Sequence, residues 1–237
     1  MAFNYPFLIL SWVHGVQLSE VIARRNKEEI SSVAGAVGAS LAQIHKFKFP
    51  DSGFFDDKLN IKEHVKLNAE KFLKYTKESL VNGYAGKHLG FQICAKVLRF
   101  SQEHAYLIDN LGEQNSLVHS DFNPLNILVK EKTSGISISA ILYREYAFSG
   151  SPLMDIGNML RYENLTGLVL LHPFISGYQD NGGCLPDKWL QKAKLLDLIA
   201  LGQLLNKKEC GAVRVRDIKR LILNMLAEWD LYATVDR

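Results

Sequence analysis

The sequence predicts a mainly α chain of the α+β class: a helical body with one small β-hairpin embedded in it and a strand at the N-terminus. Three observations carry this. Apolar residues recur at helical spacing through much of residues 18–111 and again through residues 153–232. Between these regions, SLVH, NILVK and ISISAILY are short runs of β-type composition within residues 116–143. Residues 3–13, FNYPFLILSWV, are aromatic and aliphatic and end at His14-Gly15, the pattern of a buried strand followed by a turn.

Taken in order, the helices begin after Leu18. Ser19 can cap a short one, and EEISSVAGAVGASLAQIHKF sets Ile30, Val33, Val37, Leu41 and Ile44 on one face. KFPDSGFFDDKLN is rich in turn formers and leads to two further predicted helices, residues 61–82 and 87–111, the second anchored by Ile93, Val97, Leu98 and Leu107. KTSG supplies the hairpin turn between the β-type runs. Helices return at 153–163, 165–180, 186–206 and 214–232. Repeats, low-complexity tracts and linkers are absent from the sequence.

Composition bounds the function classes. The 237 residues are 47% hydrophobic and 22% charged, the balance of a soluble globular protein. Net charge is +3, with 28 basic residues scattered among 25 acidic ones and not gathered in a stripe, so nucleic acid is not implied as a partner. Cys94, Cys184 and Cys210 are odd in number and lack metal-ligand spacing. That suggests reduced thiols in a cytoplasmic protein and no zinc. The apolar start has no basic segment of a signal peptide and is too short and interrupted to span a bilayer, so no membrane partner is expected.

Chemistry concentrates in LVHSDFNPLNILVK, residues 117–130. His119, Asp121 and Asn126 lie in a polar loop between two apolar runs, with five residues from aspartate to asparagine. Phosphoryl transfer needs a carboxylate to orient and accept the proton of an attacking hydroxyl, and an oxygen ligand for magnesium close by; Asp-x-x-x-x-Asn supplies both. In isolation the spacing equally describes a polar turn whose side chains satisfy their own backbone.

Beyond the loop come a hairpin and then YREYAFSGSPLMDIGNMLR, residues 143–161. In order and spacing HSDFNPLN, REYAFSGSPLMD and DIGN resemble the aminoglycoside phosphotransferase and choline kinase-like family, a branch of the protein-kinase-like fold, whose pattern is H-G-D-x-x-x-x-N, hairpin, D-x-E, G-D-P-x-x-D. FNYPFLILSWVHGVQL resembles that family's strand and hinge, and SLAQIHKF its helix ending in Leu-x-x-Ile/Leu-His. The resemblance implies a kinase-like C-terminal lobe over residues 18–237, with residues 1–17 the hinge strand left from a missing N-terminal lobe. It implies ATP and Mg2+ as cofactors and a small-molecule hydroxyl compound as substrate. Carried over, Asp121 is the catalytic base, Asn126 a magnesium ligand and His119 a support for the loop. Leu128 and Leu142 form the apolar floor under adenine, the backbone of Ser11, Trp12 and Val13 lies beside its edge, and Asp155 is a buried brace for the loop.

The sequence departs from the family pattern in two places. Where the pattern has its principal magnesium aspartate, this chain has Tyr143, then Arg144. A phenol with a reference pKa of about 10 is neutral at pH 7 and a poor magnesium ligand. Glu145 is a candidate substitute, since positions i and i+2 of an extended strand face the same way, but it is also the ordinary second acid of D-x-E. Second, the first lysine is Lys27, already in the helical region, so the phosphate-anchoring lysine and its glutamate partner have no counterparts.

His45, at the end of an amphipathic helix, reads as a capping or core histidine, and Trp12, Trp189 and Trp229 as packing residues. KKEC and RVRD, within residues 207–217, form a basic patch of the kind usually found on a solvated face. Three outcomes stay open on the sequence. The chain is a small-molecule kinase lobe with a damaged metal site, a pseudoenzyme scaffold or binding module, or a truncated gene product. The apolar N-terminal strand suggests self-association or a partner that supplies the missing lobe. The acceptor is not legible in any motif.

Overall fold

The computed structural model describes residues 11–24, 27–132, 135–163 and 169–235. The longest amphipathic run becomes α2, Lys27–His45, and it buries the predicted face: Ile30, Val33, Val37 and Leu41 are all enclosed. Its main partner is α7, Leu171–Asp180. The two helices cross at glycines: a Cβ on Gly38 would overlap the carbonyl oxygen of Phe174, and one on Gly177 the carbonyl oxygen of Gly35. Backbone thus meets backbone, a closer approach than any side chain would allow. The crossing brings Tyr178 of α7 beside His45 at the end of α2, with ring centroids 5.6 Å apart.

Two small antiparallel sheets adjoin this body. In the first, the order is β1 (Val16–Gln17), β5 (Ile127–Lys132) and β6 (Gly135–Ile141), and the last two form the predicted hairpin. Two of its turn residues, 133 and 134, lie outside the described residues. The second sheet runs β3 (Ile61–His64), β2 (Gly53–Phe55), β7 (Phe148–Gly150), β4 (Ser116–Val118). It corrects the expectation of a single hairpin. Residues 61–64 are strand where a helix over 61–82 was predicted. Asp56 closes the turn that creates this β2–β3 hairpin by accepting from the backbone N–H groups of Lys58 and Asn60, each at 2.8 Å. The helix starts later because its cap comes later: Asn68 Oδ1 accepts from the N–H of Lys71 at 2.9 Å, setting α3 at Ala69–Lys77.

The remaining predicted helices are also divided. A π-helical turn, Glu78–Asn82, and α4, Tyr84–Leu89, precede Gly90, whose φ of 84° separates α4 from α5, Phe91–His104. A 3-10 turn, Ala105–Asn110, completes the span predicted as 87–111. α6 covers Leu153–Met159. α8, Trp189–Leu205, is buried almost all round and forms the centre of the lower core. The C-terminal span splits into α9, Ala212–Ala227, and α10, Trp229–Tyr232.

Of the predicted N-terminal strand, residues 3–10 lie outside the described residues. Ser11, Trp12 and Val13 are exposed and in no regular element; among the described residues the first strand is β1, which runs into α1, Leu18–Arg24. Among the described residues no helix is long and apolar enough to cross a membrane.

Candidate active site

The loop between β4 and β5 places Asp121 and Asn126 side by side. Asn126 turns its amide nitrogen to Asp121, donating to its Oδ2 at 2.6 Å and its carbonyl oxygen at 2.8 Å. Asn123 donates to Asp121 Oδ1 at 2.8 Å. Each carboxylate oxygen is therefore held by a neutral amide, and by no cation among the described residues, which fixes its direction. With its nitrogen committed, the Asn126 side chain has its oxygen left as an acceptor or ligand atom.

The backbone of this loop is clamped from beneath. Asp155, fully buried on α6, accepts from the N–H of His119 at 2.7 Å and of Ser120 at 2.8 Å. Its third contact is His45 Nε2 at 3.1 Å, and the other ring nitrogen of His45 meets the Tyr178 hydroxyl at 2.9 Å. Burial pushes the Tyr178 phenol well above its ordinary range, so it stays neutral. Asn158 donates to the Ser120 carbonyl at 3.1 Å. Ser120 has φ of 74°, and this left-handed turn swings Asp121 out of the buried layer. His119 Nδ1 accepts from the Asp121 N–H at 3.3 Å, which puts the ring proton on Nε2, a buried atom with no partner among the described residues. Asp155 thus bonds the loop backbone from beneath, and His119 bonds it from within. The sequence missed His45, Tyr178 and Asn158 as further members of that brace; only the Leu-x-x-Ile-His ending of α2 signalled His45.

The floor of the cleft is contiguous with the loop. The hairpin opens at Ile127 and closes where the Leu142 N–H donates to the Asn126 carbonyl at 2.8 Å; Leu128 and Leu142 are half-buried on it. β1 pairs Gln17 with Leu128, so the segment carrying Ser11, Trp12 and Val13 leads to this floor, although its side chains point largely to solvent.

The metal position is different. β6 ends at Ile141, and Tyr143 is exposed with φ of 64°. Residues 143–147 form a turn, with Ala147 N–H donating to the Arg144 carbonyl at 3.1 Å. The expected i to i+2 relation of Tyr143 and Glu145 on an extended strand does not exist. Glu145 nonetheless lines one of two cavities of about 830 Å³ that reach Asp121. Among the described residues no three His, Cys, Asp or Glu side chains are grouped to hold a metal ion.

The second cavity, also about 830 Å³, is lined by the Asp121 loop, α8 and α9. Arg161 lines it; burial opposes its charge, but its Nε and Nη2 contacts to Asp197, at 2.6–3.1 Å, raise its pKa above the ordinary value. At the same cavity Asp217 receives the Arg220 guanidinium at 2.6 Å and the Tyr162 hydroxyl at 2.7 Å. These contacts outweigh burial and hold its pKa below the usual carboxylate value.

A helical lobe with an Asp-x-x-x-x-Asn loop braced by a buried aspartate, above two converging cavities, defines a kinase-like phosphotransferase fold. A profile described as the phosphotransferase enzyme family, APH, matches residues 2–187, and the chain belongs to that family. Among solved structures it resembles a thermostable mutant of the aminoglycoside phosphotransferase APH(4)-Ia in ternary complex with AMP-PNP and hygromycin B, at 16% identity and a TM-score of 0.63, covering 92% of this chain and 70% of that one. It also resembles the choline kinase LicA from Streptococcus pneumoniae, at 16% identity and a TM-score of 0.56, over 91% and 67% of the two chains. The ethanolamine kinase of Plasmodium vivax matches at 15% identity and a TM-score of 0.52, over 97% and 68%. No curated protein sequence matches.

Proposed function

We propose that this chain is the helical lobe of a small-molecule kinase in which Asp121 accepts the proton of an acceptor hydroxyl as ATP supplies the γ-phosphoryl group. Residues 1–17 act as its hinge segment and residues 18–237 as the lobe. One observation carries this proposal: Asp121 is aimed by two neutral amides, clamped through Asp155, and open to two cavities. Among the described residues no cation is bonded to it, so its oxygens are open to an approaching hydroxyl. Leu128 and Leu142 serve as the adenine floor, and Asn126 remains the available oxygen ligand.

The same polypeptide is a poor catalyst in this proposal. Tyr143 occupies the position of the principal metal carboxylate in the family pattern, so one charge-stabilising ligand is replaced there. Loss of one charge-stabilising contact alone typically costs roughly 100-fold or more in rate. Turnover with ATP, Mg2+ and a panel of hydroxyl acceptors is therefore expected to stay at background. Turnover above background that disappears in Asp121→Asn would restore the active-enzyme reading. The exposed phenol at the metal position favours a second reading, a pseudoenzyme that keeps the cleft as a binding surface; saturable nucleotide or acceptor binding without turnover would support it.

A further inference from the structure

We infer that the cavity between the base loop and α9 takes an acceptor carrying an anionic group, a phosphate or carboxylate, at the end opposite its hydroxyl. The inference rests on the kinase-lobe proposal for the role of Asp121. Four guanidinium groups line this cavity, from Arg161, Arg214, Arg216 and Arg220, against two carboxylates, Asp121 and Asp217. Two of the four are already committed: Arg161 to Asp197, and Arg220 to Asp217. Both oxygens of Asp217 are occupied as well. Arg214 and Arg216 are exposed and have no ion pair among the described residues.

Among the described residues the lining is therefore left with two cations without an ion pair, Arg214 and Arg216, and one carboxylate bonded to neutral amides alone, Asp121; the cations come from the helix and the carboxylate from the loop. A ligand bridging them needs opposite chemistry at its two ends. A neutral hydroxyl suits Asp121, since an anion there would be repelled. An anion suits the arginines, whose planar forks match phosphate and carboxylate oxygens. Leu201 and Val213 add apolar side chains to the lining, and about 830 Å³ accommodates a small-molecule ligand. A quaternary ammonium compound fits less well, because its only favourable partner would be the carboxylate that must remain free for the hydroxyl. The basic run RVRD, which reads as a solvated face in sequence, thus acquires a ligand-binding role.

Binding to the full chain by calorimetry tests this, with glycerol 3-phosphate and 3-hydroxybutyrate as the anionic probes and choline and glycerol as controls. At least one anionic probe is expected to bind roughly tenfold or more tightly than choline, to weaken as salt rises, and to lose about tenfold or more in Arg214→Ala/Arg216→Ala. Both substitutions are at exposed positions, so circular dichroism should show the fold retained. A preference for glycerol 3-phosphate assigns the source as phosphate, and one for 3-hydroxybutyrate as carboxylate. Choline binding as tightly as both anions, or anion binding unchanged in the folded double variant, overturns the inference. The kinase-lobe proposal is decided separately by the turnover assay and Asp121→Asn, since the arginine variants leave the base loop intact.

Discussion

Asp155 carries more of the site than Asp121, whose loop it supports. Its two oxygens accept two loop N–H groups and the His45 ring, all in a fully buried setting. Asp155→Ala leaves these donors without a partner, at a cost of about 3–5 kcal/mol. The expected outcome in urea unfolding is a large fall in midpoint, with weakened packing of the loop visible as faster amide exchange at Ser120. Lys194 offers a different residue-scale test. It donates to the Leu160 carbonyl at 2.6 Å, and burial depresses its pKa despite the nearby acids Asp197, Glu228 and Glu163. A depressed folded pKa means that the unfolded chain holds the proton more tightly. The group's contribution therefore improves as pH rises through the depressed folded value toward the ordinary 10.5 and is lost as pH falls again. Urea unfolding from pH 7 to 10 should show wild type gaining stability relative to Lys194→Met.

At the scale of elements, the α2–α7 crossing is what delivers Tyr178 and His45 to the brace. Gly38→Ala places a methyl group against the Phe174 carbonyl, so the helices must separate. Overpacking of this kind typically costs about 1–3 kcal/mol. The thermal midpoint should fall, and the His45–Tyr178 contact should loosen, which the Tyr178 environment reports by near-ultraviolet dichroism; an unchanged midpoint would contradict the close crossing. The crossing was only partly legible in sequence. The apolar face of α2 was, because its period is local. The meeting of Gly38 with Gly177 was not, because it pairs residues far apart in the chain. β3 was missed for a related reason: IKEH has neither alternation nor β-branched density, and only the Asp56 turn and the Asn68 cap force it out of the helix.

For the whole molecule, the Asp121 loop was readable because its residues are close in sequence and their spacing is chemical. Asp121, Asn126, His119 and Asp155 are joined by hydrogen bonds, and Leu128 and Leu142 lie on the adjoining hairpin. The metal position was readable as a substitution but not as a shape: the left-handed φ of Tyr143 ends the strand that would have aligned Glu145 with it. Helix α9 was likewise legible as basic, but only the fold brings its arginines into one cavity with Asp121. In the proposed function, this assembly has Asp121 held ready as base and a ligand set short of a carboxylate.

Calorimetric titration of Mg2+ or Mn2+ into wild type, Tyr143→Asp and Tyr143→Asp/Asn126→Ala, each confirmed as folded and each measured with and without AMP-PNP, tests that claim most directly. A carboxylate at residue 143 should pair with the Asn126 oxygen to rebuild a site. The predicted result is ion binding in Tyr143→Asp that is weaker in wild type and lost in the double variant. Wild type that binds the ion as tightly as Tyr143→Asp, and loses it in Glu145→Gln, would contradict the account and make Glu145 the working ligand.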